Sequence, residues 1–315
     1  MDATAEQTAE ETAQHSSAAT QTPIEVHLED LPSNENCTFT EQFELPSPAE
    51  VRARAEEQGI DTLRSFRPDP VIYPELHLLV KWGEGVSIAE GQTIRFISRN
   101  LQASVPVPQI YGWKTDGNQT FLYMELVAGD TLSTRWPTLS SPEKDHICDQ
   151  LRTMLQSWRR IVQSPSAQDG PTLSALNGQP LRDILFSDAL SLPTAPFPSV
   201  SAFHDHLATL VSSKRSRPEI PELHGLNDSA AVVFTHSDLD QSNILVSTVG
   251  DGPVRIVAVI DWHQSGWYTA DWEALKALSV GEPGSEWVEK WLPKVVGTPD
   301  EEYHYAFEFI SLAVL

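Results

Sequence analysis

Residues 232–262, VVFTHSDLDQSNILVSTVGDGPVRIVAVIDW, decide the fold of this chain because polar residues stand at the ends of short apolar runs there. The β-branched composition of these runs is typical of buried strands. The three runs are residues 232–234, 244–246 and 254–260. His236, Asp238 and Asn243 follow the first run as H-x-D-L-x-x-x-N, and Asp261 follows the third. Polar groups at buried strand ends are costly unless they are paired or bind a metal.

Phosphoryl transfer is the chemistry that uses this set of side chains. An aspartate, here Asp238, orients or deprotonates an acceptor hydroxyl, while Asn243 and Asp261 supply oxygen ligands to Mg²⁺. Asp238 and Asn243 are five residues apart in one loop, and Asp261 arrives from a neighbouring strand. The competing interpretation is an ordinary hairpin, in which Asp238 caps a turn and Asp261 ends a strand.

At these residues the chain resembles the aminoglycoside phosphotransferase / choline kinase superfamily, and it looks closest to a branch common in filamentous fungi. The family pattern is roughly H-G-D-L-x-x-x-N followed by I-D-[FW]; Ser237 replaces the glycine and Trp262 takes the aromatic place. The resemblance implies an α+β, bilobal protein-kinase-like fold with a small antiparallel β N-lobe and a larger, mainly α-helical C-lobe. It also implies that ATP and Mg²⁺ are the cofactors and that His236 belongs to the catalytic loop as a brace.

Lys81 lies in an apolar strand pattern, LHLLVKWGEG, ahead of a predicted helix that runs to about Leu101. Glu90 shares one face of that helix with apolar residues, so its carboxylate needs a cation, and Lys81 is the obvious partner. The alternative is that Glu90 completes a capping box with Ser87. In the kinase-like fold the matching lysine contacts the nucleotide phosphates and the matching glutamate holds it.

A hairpin is predicted from residues 107–114 and 120–127 around the turn T-D-G-N. The resemblance places the interlobe hinge at the end of its second strand, where Glu125 and Val127 offer backbone groups to adenine and Met124 lies beside the ring. One family feature is missing, because no glycine occurs between Gly59 and Gly83 to form a phosphate-binding loop. Arg64 or Arg67 could substitute by charge, although we do not rely on them.

Composition divides the chain into three parts. Residues 1–46 are predicted to be an acidic, largely disordered tail with a short strand near Ile24, residues 47–127 the N-lobe, and residues 128–315 the C-lobe. Ser47 is expected to cap a helix over residues 49–58. In the C-lobe, a helix of about twenty residues is predicted from Ser141 to Val162.

The segment of residues 164–200 resembles the substrate-side insertion of the fungal branch. Arg182 and Asp183 are candidates for the acceptor pocket, with solvation in a loop as the favoured interpretation. After Asp261 the chain reaches the next helix, at about Ala270, without an A-P-E motif, which disfavours a polypeptide acceptor and a protein kinase. Asp271 and Glu273 are expected either at the pocket mouth or as helix-start acids.

The net charge of −23 argues against nucleic acid and anionic membranes as partners. Eleven of the 44 acidic residues lie in residues 1–50, which contain no lysine or arginine. An acidic body suits a cationic acceptor, and a generally acidic soluble surface explains the same balance. Two cysteines and no apolar run of membrane-spanning length favour a cytoplasmic protein, and no obligate protein partner is evident.

Together these observations predict an ATP- and Mg²⁺-dependent small-molecule kinase that uses Asp238 as base. The alternative is a catalytically weak or inactive kinase-like protein that binds a nucleotide or metabolite. The missing glycine loop and the serine at position 237 motivate that alternative.

Overall fold

The computed structural model describes residues 22–61, 67–164, 170–186 and 192–314. The strands are β1 (Ile24–Val26), β2 (Cys37–Thr38), β3 (Val71–Tyr73), β4 (Leu78–Gly83), β5 (Ile110–Asp116), β6 (Gln119–Glu125), β7 (Asp130–Thr131), β8 (Ile161–Gln163), β9 (Val232–Thr235), β10 (Ile244–Val246), β11 (Ile256–Val259) and β12 (Gly266–Thr269). The helices are α1 (Pro48–Glu57), α2 (Ile88–Asn100), α3 (Leu132–Arg135), α4 (Ser141–Trp158), α5 (Val200–Val211), α6 (Trp272–Val280), α7 (Leu292–Val296) and α8 (Glu301–Val314), and a π-helical segment, Trp287–Trp291, leads into α7. The predicted α+β, bilobal kinase-like architecture is confirmed.

The N-lobe is a five-stranded antiparallel sheet in the order β2-β5-β6-β4-β3. Its central hairpin, β5–β6, turns at Gly117, whose φ of +62° suits glycine, and this confirms the predicted turn. Helix α2 packs so closely on the sheet that a Cβ added at Gly91 would lie 2.6 Å from Leu122 Cδ1. Gly91 therefore lets the helix that carries Glu90 approach the strands.

Helix α1 begins at the predicted cap. The Ser47 hydroxyl accepts a hydrogen bond from the Glu50 amide at 3.3 Å, while the Glu50 carboxylate accepts one from the Ser47 amide at 2.7 Å. This reciprocal capping box satisfies amides that the first helical turn leaves without partners. The helix runs one residue ahead of the predicted bounds at each end.

The short strand predicted near Ile24 is confirmed as β1, but the rest of residues 22–46 is more ordered than the tail that composition predicted. β1 pairs in parallel with β8 of the C-lobe, and β2 pairs with β5 of the N-lobe. The Glu35 carbonyl also accepts a hydrogen bond from Trp113 Nε1 at 2.8 Å. The correction has a physical cause, because strand partners distant in sequence order a segment that is too polar to build a core of its own. Residues 1–21 lie outside the described residues.

The C-lobe surrounds two short antiparallel ladders, β12–β9 and β11–β10–β7, with helices. Helix α4 ends at Trp158, not at Val162, and Val162 belongs to β8. The predicted continuation of the helix was wrong because the apolar pattern continues into β8. This strand pairs with β1, and its Ile161 packs in the hydrophobic core. β12, between Asp261 and α6, was not predicted either.

Two histidines of α5 point in different directions. His204 is buried, and its Nδ1 lies 2.8 Å from Asp228 and its Nε2 3.0 Å from the Tyr303 hydroxyl. Asp228 also accepts two hydrogen bonds from Arg217, at 2.5 and 2.7 Å. The His206 ring packs against Phe186 at 5.3 Å. These contacts tie α5 to the loop before β9 and to α8.

None of the helices among the described residues is long and apolar enough to cross a membrane. Cys37 and Cys148 are both free thiols.

Candidate active site

The ends of three strands bring the polar loops together. Ile244 of β10 pairs with Val259 of β11, so Asn243 and Ile260 face each other where the ladder ends. The Ile260 amide donates a hydrogen bond to the Asn243 carbonyl at 2.9 Å. Asp261 is the next residue along, and strand pairing thus positions it beside the loop that holds Asp238.

His236 braces this loop. Its Nε2 donates to the Ile260 carbonyl at 3.0 Å, and its Nδ1 accepts the Asp238 amide at 3.2 Å. These two partners require the neutral tautomer with the proton on Nε2. His236 is fully buried and packs edge-on against Trp262 at 4.5 Å. Its contacts hold the Asp238 loop against the Asp261 strand, and the bracing role of His236 in catalysis stays a prediction.

Asn243 is fixed by two hydrogen bonds to one residue. Its Nδ2 donates to the Asp238 carbonyl at 2.9 Å and to Asp238 Oδ2 at 3.1 Å. The amide nitrogen therefore faces Asp238, which leaves the Asn243 side-chain oxygen as the atom that can bind a cation.

Lys81 joins the two lobes. Its Nζ lies 2.7 Å from Glu90 Oε1 and 2.5 Å from Asp261 Oδ1. The Lys81–Glu90 ion pair expected from the helix pattern is thus present, and the Ser87 hydroxyl instead caps the Ala89 amide at 3.2 Å. Alternate residues of β4 are buried beneath the sheet, and Lys81 faces the cleft between the lobes.

Two further side chains converge on Asp261. His263 Nδ1 lies 2.8 Å from Asp261 Oδ1, and Arg67 approaches the same oxygen at 3.6 Å. Burial alone would raise the pKa of Asp261, but the hydrogen bond from His263 and the charge of Lys81 outweigh it and hold that pKa well below its ordinary range. Desolvation likewise opposes protonation of Lys81, and Glu90 and Asp261 raise its pKa overall. Both groups therefore stay charged near neutral pH.

The residues fit a divalent cation. One ligand atom each from Asp238, Asp261 and His263 lies within 4.8 Å of the others. The hydrogen bonds of the Asn243 amide nitrogen to Asp238 leave its side-chain oxygen as a further donor of the hard kind that Mg²⁺ takes. Asp261 has a φ of +63°, a left-handed conformation that is unfavourable for a residue with a Cβ and that occurs often at functional sites.

Glu273 supports the same loop from below. It is fully buried, and its carboxylate accepts the His236 amide at 2.8 Å and the Ser237 amide at 3.0 Å. Desolvation raises the pKa of Glu273, and the two amide hydrogen bonds counteract that rise. Glu273 lies in the first turn of α6, which confirms the helix-start interpretation, and it does not lie at the pocket mouth, because this turn packs under the loop. Asp271 precedes α6 without capping it.

Asp183 corrects the expectation of a solvated loop. Its side chain is fully buried and pairs with Lys276 of α6 at 2.7 Å. Its other oxygen accepts the Ser237 hydroxyl at 3.0 Å and Trp272 Nε1 at 3.2 Å. The Leu185 amide also donates to Asp183, at 3.0 Å. Asp183 thus connects the segment around residues 181–186 to the catalytic loop at Ser237, whose φ is +69°.

The predicted hinge residues lie at the end of β6. Met124 is 5 % exposed and packs in the hydrophobic core, while Glu125 and Val127 are half-buried. Glu125 Oε2 accepts the Gln109 amide at 3.1 Å, and the neighbouring Leu126 amide donates to His77. Their role in binding adenine stays a prediction. Arg64 lies outside the described residues.

Sequence reasoning missed His263, Lys276 and the supporting role of Glu273. One signal was available, because α6 reads WEALKALSV and is apolar around most of its surface. A helix of that kind is buried, so its glutamate and lysine need polar partners inside the protein. For His263, the two-residue spacing from Asp261 was visible, but only the 3₁₀ turn Trp262–Gln264 brings the two side chains together.

Comparisons with known proteins agree on this fold. A thermostable mutant of aminoglycoside phosphotransferase APH(4)-Ia in its apo form superposes with a TM-score of 0.50 at 16% identity, over 82% of this chain and 88% of that one. The ternary complex of a mutant of the same protein with ADP and hygromycin B gives 0.50 at 14% identity, over 82% and 87%. The streptomycin–ATP–APH(2")-IIa complex gives 0.49 at 15% identity, over 84% and 87%. A search of curated proteins found no match.

At these identities the two structures with a TM-score of 0.50 show a shared fold and nothing finer. The sequence model of the phosphotransferase enzyme family matches residues 87–306, which is more than half of the chain and includes Glu90, the Asp238 loop and Asp261. Such a match supports phosphoryl transfer to a small molecule as the general activity. The chain therefore belongs to the phosphotransferase enzyme family.

Proposed function

We propose that this protein is an ATP- and Mg²⁺-dependent kinase that transfers the γ-phosphoryl group to a hydroxyl of a small molecule. The convergence of Lys81, Asp238 and Asp261 in one cleft carries the proposal, with Asn243 completing the set. A solved structure of similar fold in complex with ADP supports a nucleotide as donor. A bound Mg²⁺ would neutralise charge on the transferring phosphoryl group.

Each residue has a separate task in this proposal. Lys81, held by Glu90, binds the donor phosphates, and Arg67 adds positive charge from the segment that lacks glycines. Asn243 and Asp261 hold the cation, with His263 beside them. Asp238 accepts the proton of the acceptor hydroxyl or orients it, a step worth about 10²–10⁴ in rate. His236 and Glu273 keep the Asp238 loop in place. Met124, Glu125 and Val127 line the adenine side.

The test compares three proteins: wild type, Asp238→Ala and Asp261→Ala. We expect Asp238→Ala to keep the thermal stabilisation by ATP and Mg²⁺ but to lose acceptor-dependent ADP release. Asp261→Ala should lose the Mg²⁺-dependent part of that stabilisation. Acceptor-dependent turnover at the wild-type rate in Asp238→Ala would refute the assigned base.

The same comparison separates an enzyme from a binding protein. Thermal stabilisation by ATP and Mg²⁺ reports on the cluster in which Lys81, Arg67 and His263 all contact Asp261. Stabilisation by ATP without ADP release for any acceptor would favour the alternative, a kinase-like protein that binds nucleotide without useful turnover.

A further inference from the structure

A cleft of about 440 Å³ adjoins the proposed metal site and has cationic and apolar walls. One wall comes from the β4–α2 connection and the other from the segment around residues 179–184. His263 also lines the cleft, and one of its ring nitrogens lies within 4.8 Å of an Asp238 carboxylate oxygen. A ligand in the cleft can therefore place a hydroxyl at Asp238.

The cleft is lined by positive charges although the chain as a whole is acidic. Acidic residues outnumber basic ones by 44 to 21, yet Arg67 and Arg182 both line the cleft. Of the carboxylates in its lining, Asp183 is neutralised by Lys276, so Glu84 is the acid left facing the space. A polycation would meet two guanidinium groups there, with one carboxylate to oppose them.

Arg182 is the side chain in this cleft that is the best candidate to bind a ligand. It is exposed to the cleft, and within the described parts of the chain no carboxylate lies at ion-pair distance from its guanidinium. Desolvation and the neighbouring charge of Arg67 lower the pKa of Arg182 without removing its charge near neutral pH. Arg67, by contrast, is engaged with Asp261 on the donor side. An arginine fork beside a second cation suits a carboxylate or a phosphate.

Apart from the polar side chains of Ser87 and Gln179, the rest of the lining is mainly apolar. Around Arg182 the cleft is lined by five apolar residues: Pro180, Leu181, Ile184, Leu192 and Pro193. Two of them, Ile184 and Leu192, are about half exposed, at 51% and 46%. Exposed aliphatic side chains beside a few charged groups are typical of a small-molecule pocket, in which the apolar walls supply affinity and the charges fix orientation.

Resting on the proposed function, we propose that the acceptor is an anionic alcohol with an apolar body, and that Arg182 binds its carboxylate or phosphate group. The hydroxyl then faces Asp238, and the apolar body lies against Leu181 and Ile184. This acceptor class differs from the cationic one that the net charge of the chain had suggested.

The test uses three probes that share a phenyl ring and a benzylic hydroxyl and differ in charge: mandelate, mandelamide and 2-amino-1-phenylethanol. Hygromycin B is a fourth, polycationic arm. Binding to the full chain is measured by calorimetry with AMP-PNP and Mg²⁺ present. We expect mandelate to bind about tenfold or more tighter than either analogue, as one charge-assisted hydrogen-bond pair supplies. Tighter binding of the amine or of hygromycin B, or no preference among the probes, overturns the proposal.

Arg182→Gln assigns the preference to its residue, with Arg99→Gln as an exposed arginine control on α2. The mandelate preference should fall to about twofold or less in Arg182→Gln and stay unchanged in the control. Affinity for ATP should be the same in both variants. If Arg182→Gln weakens ATP and leaves the mandelate preference intact, its guanidinium serves the donor phosphates and the proposal fails. Failure of the proposed kinase function would be distinguishable, because wild type would then either not bind AMP-PNP or release no ADP with any acceptor, whereas the mandelate preference is measured from binding alone.

Discussion

Removing the Asp183 side chain should destabilise the protein strongly. Asp183→Ala leaves the Lys276 ammonium, whose side chain is 2% exposed, with Gln264 Oε1 at 3.1 Å as its remaining acceptor. It also removes the acceptor of the Ser237 hydroxyl and of the Leu185 amide. Breaking a buried pair by deleting one partner costs about 3–5 kcal/mol. That is a large share of the roughly 5–15 kcal/mol that separates folded from unfolded states.

An exposed ion pair with the same N–O distance serves as a matched control, so that the comparison shows the effect of burial. Asp145 pairs with Lys294 at the same 2.7 Å, but the two side chains are 55% and 43% exposed. Asp145→Ala should change the free energy of unfolding by about 1 kcal/mol or less, because water screens an exposed pair. Urea unfolding followed by tryptophan fluorescence measures both variants, with equal slopes required for the comparison.

The double variant Asp183→Leu with Lys276→Met extends the test. Replacing both charges by apolar side chains removes the uncompensated ammonium, so its loss should be smaller than that of Asp183→Ala. If Asp183→Ala costs no more than Asp145→Ala, the account of a buried ion pair that orders the loop is wrong.

Three other predictions concern single residues. Ser237→Ala keeps the unfavourable φ of +69° and loses the hydrogen bond to Asp183, so it should lower the free energy of unfolding by about 1–2 kcal/mol. Ser237→Gly loses the same hydrogen bond, but glycine tolerates this φ, so the net change in the free energy of unfolding should stay within about 1 kcal/mol. Gly91→Ala should destabilise by about 1–3 kcal/mol despite its better helix propensity, because Leu122 must move; chemical denaturation measures it, and a stabilised variant would contradict the packing. Hydrogen bonds from Arg217 hold the pKa of Asp228 well below 3.8, so the stability that Asp228 provides is complete above pH 3.8 and declines as the pH falls towards its folded-state pKa. The difference in melting temperature between wild type and Asp228→Asn should therefore shrink in acid, and a difference that stays constant would contradict this account.

Much of the site was readable from sequence because its residues are tied to strand ends. A strand end fixes where a side chain emerges, so Asp238, Asn243 and Asp261 could be placed together from spacing alone. Lys81 and Glu90 followed from a charge on an apolar face that needed a partner. These inferences depend on local periodicity, which the sequence records directly.

The supporting residues were harder to foresee, since their partners lie far along the chain. Asp183 and Lys276 are separated by 93 residues, and nothing in the loop around Asp183 indicates that α6 will cover it. The same holds for β1, whose partner β8 follows it by more than a hundred residues. Long-range pairing of this kind depends on tertiary packing, which overrides the local tendency of a polar segment to stay solvated.

The pairing of β1 with the C-lobe and of β2 with the N-lobe means that the backbone crosses between the lobes at two places: residues 27–36 and the connection after β6. Gln92 of α2 reinforces the first crossing, because its side-chain amide donates to the Pro32 carbonyl at 2.6 Å. Lobes that are joined by one chain crossing can rotate relative to each other about many axes, whereas two crossings restrict that rotation. We therefore expect the two lobes to move relative to each other mainly by rotation about the line that joins the two crossings.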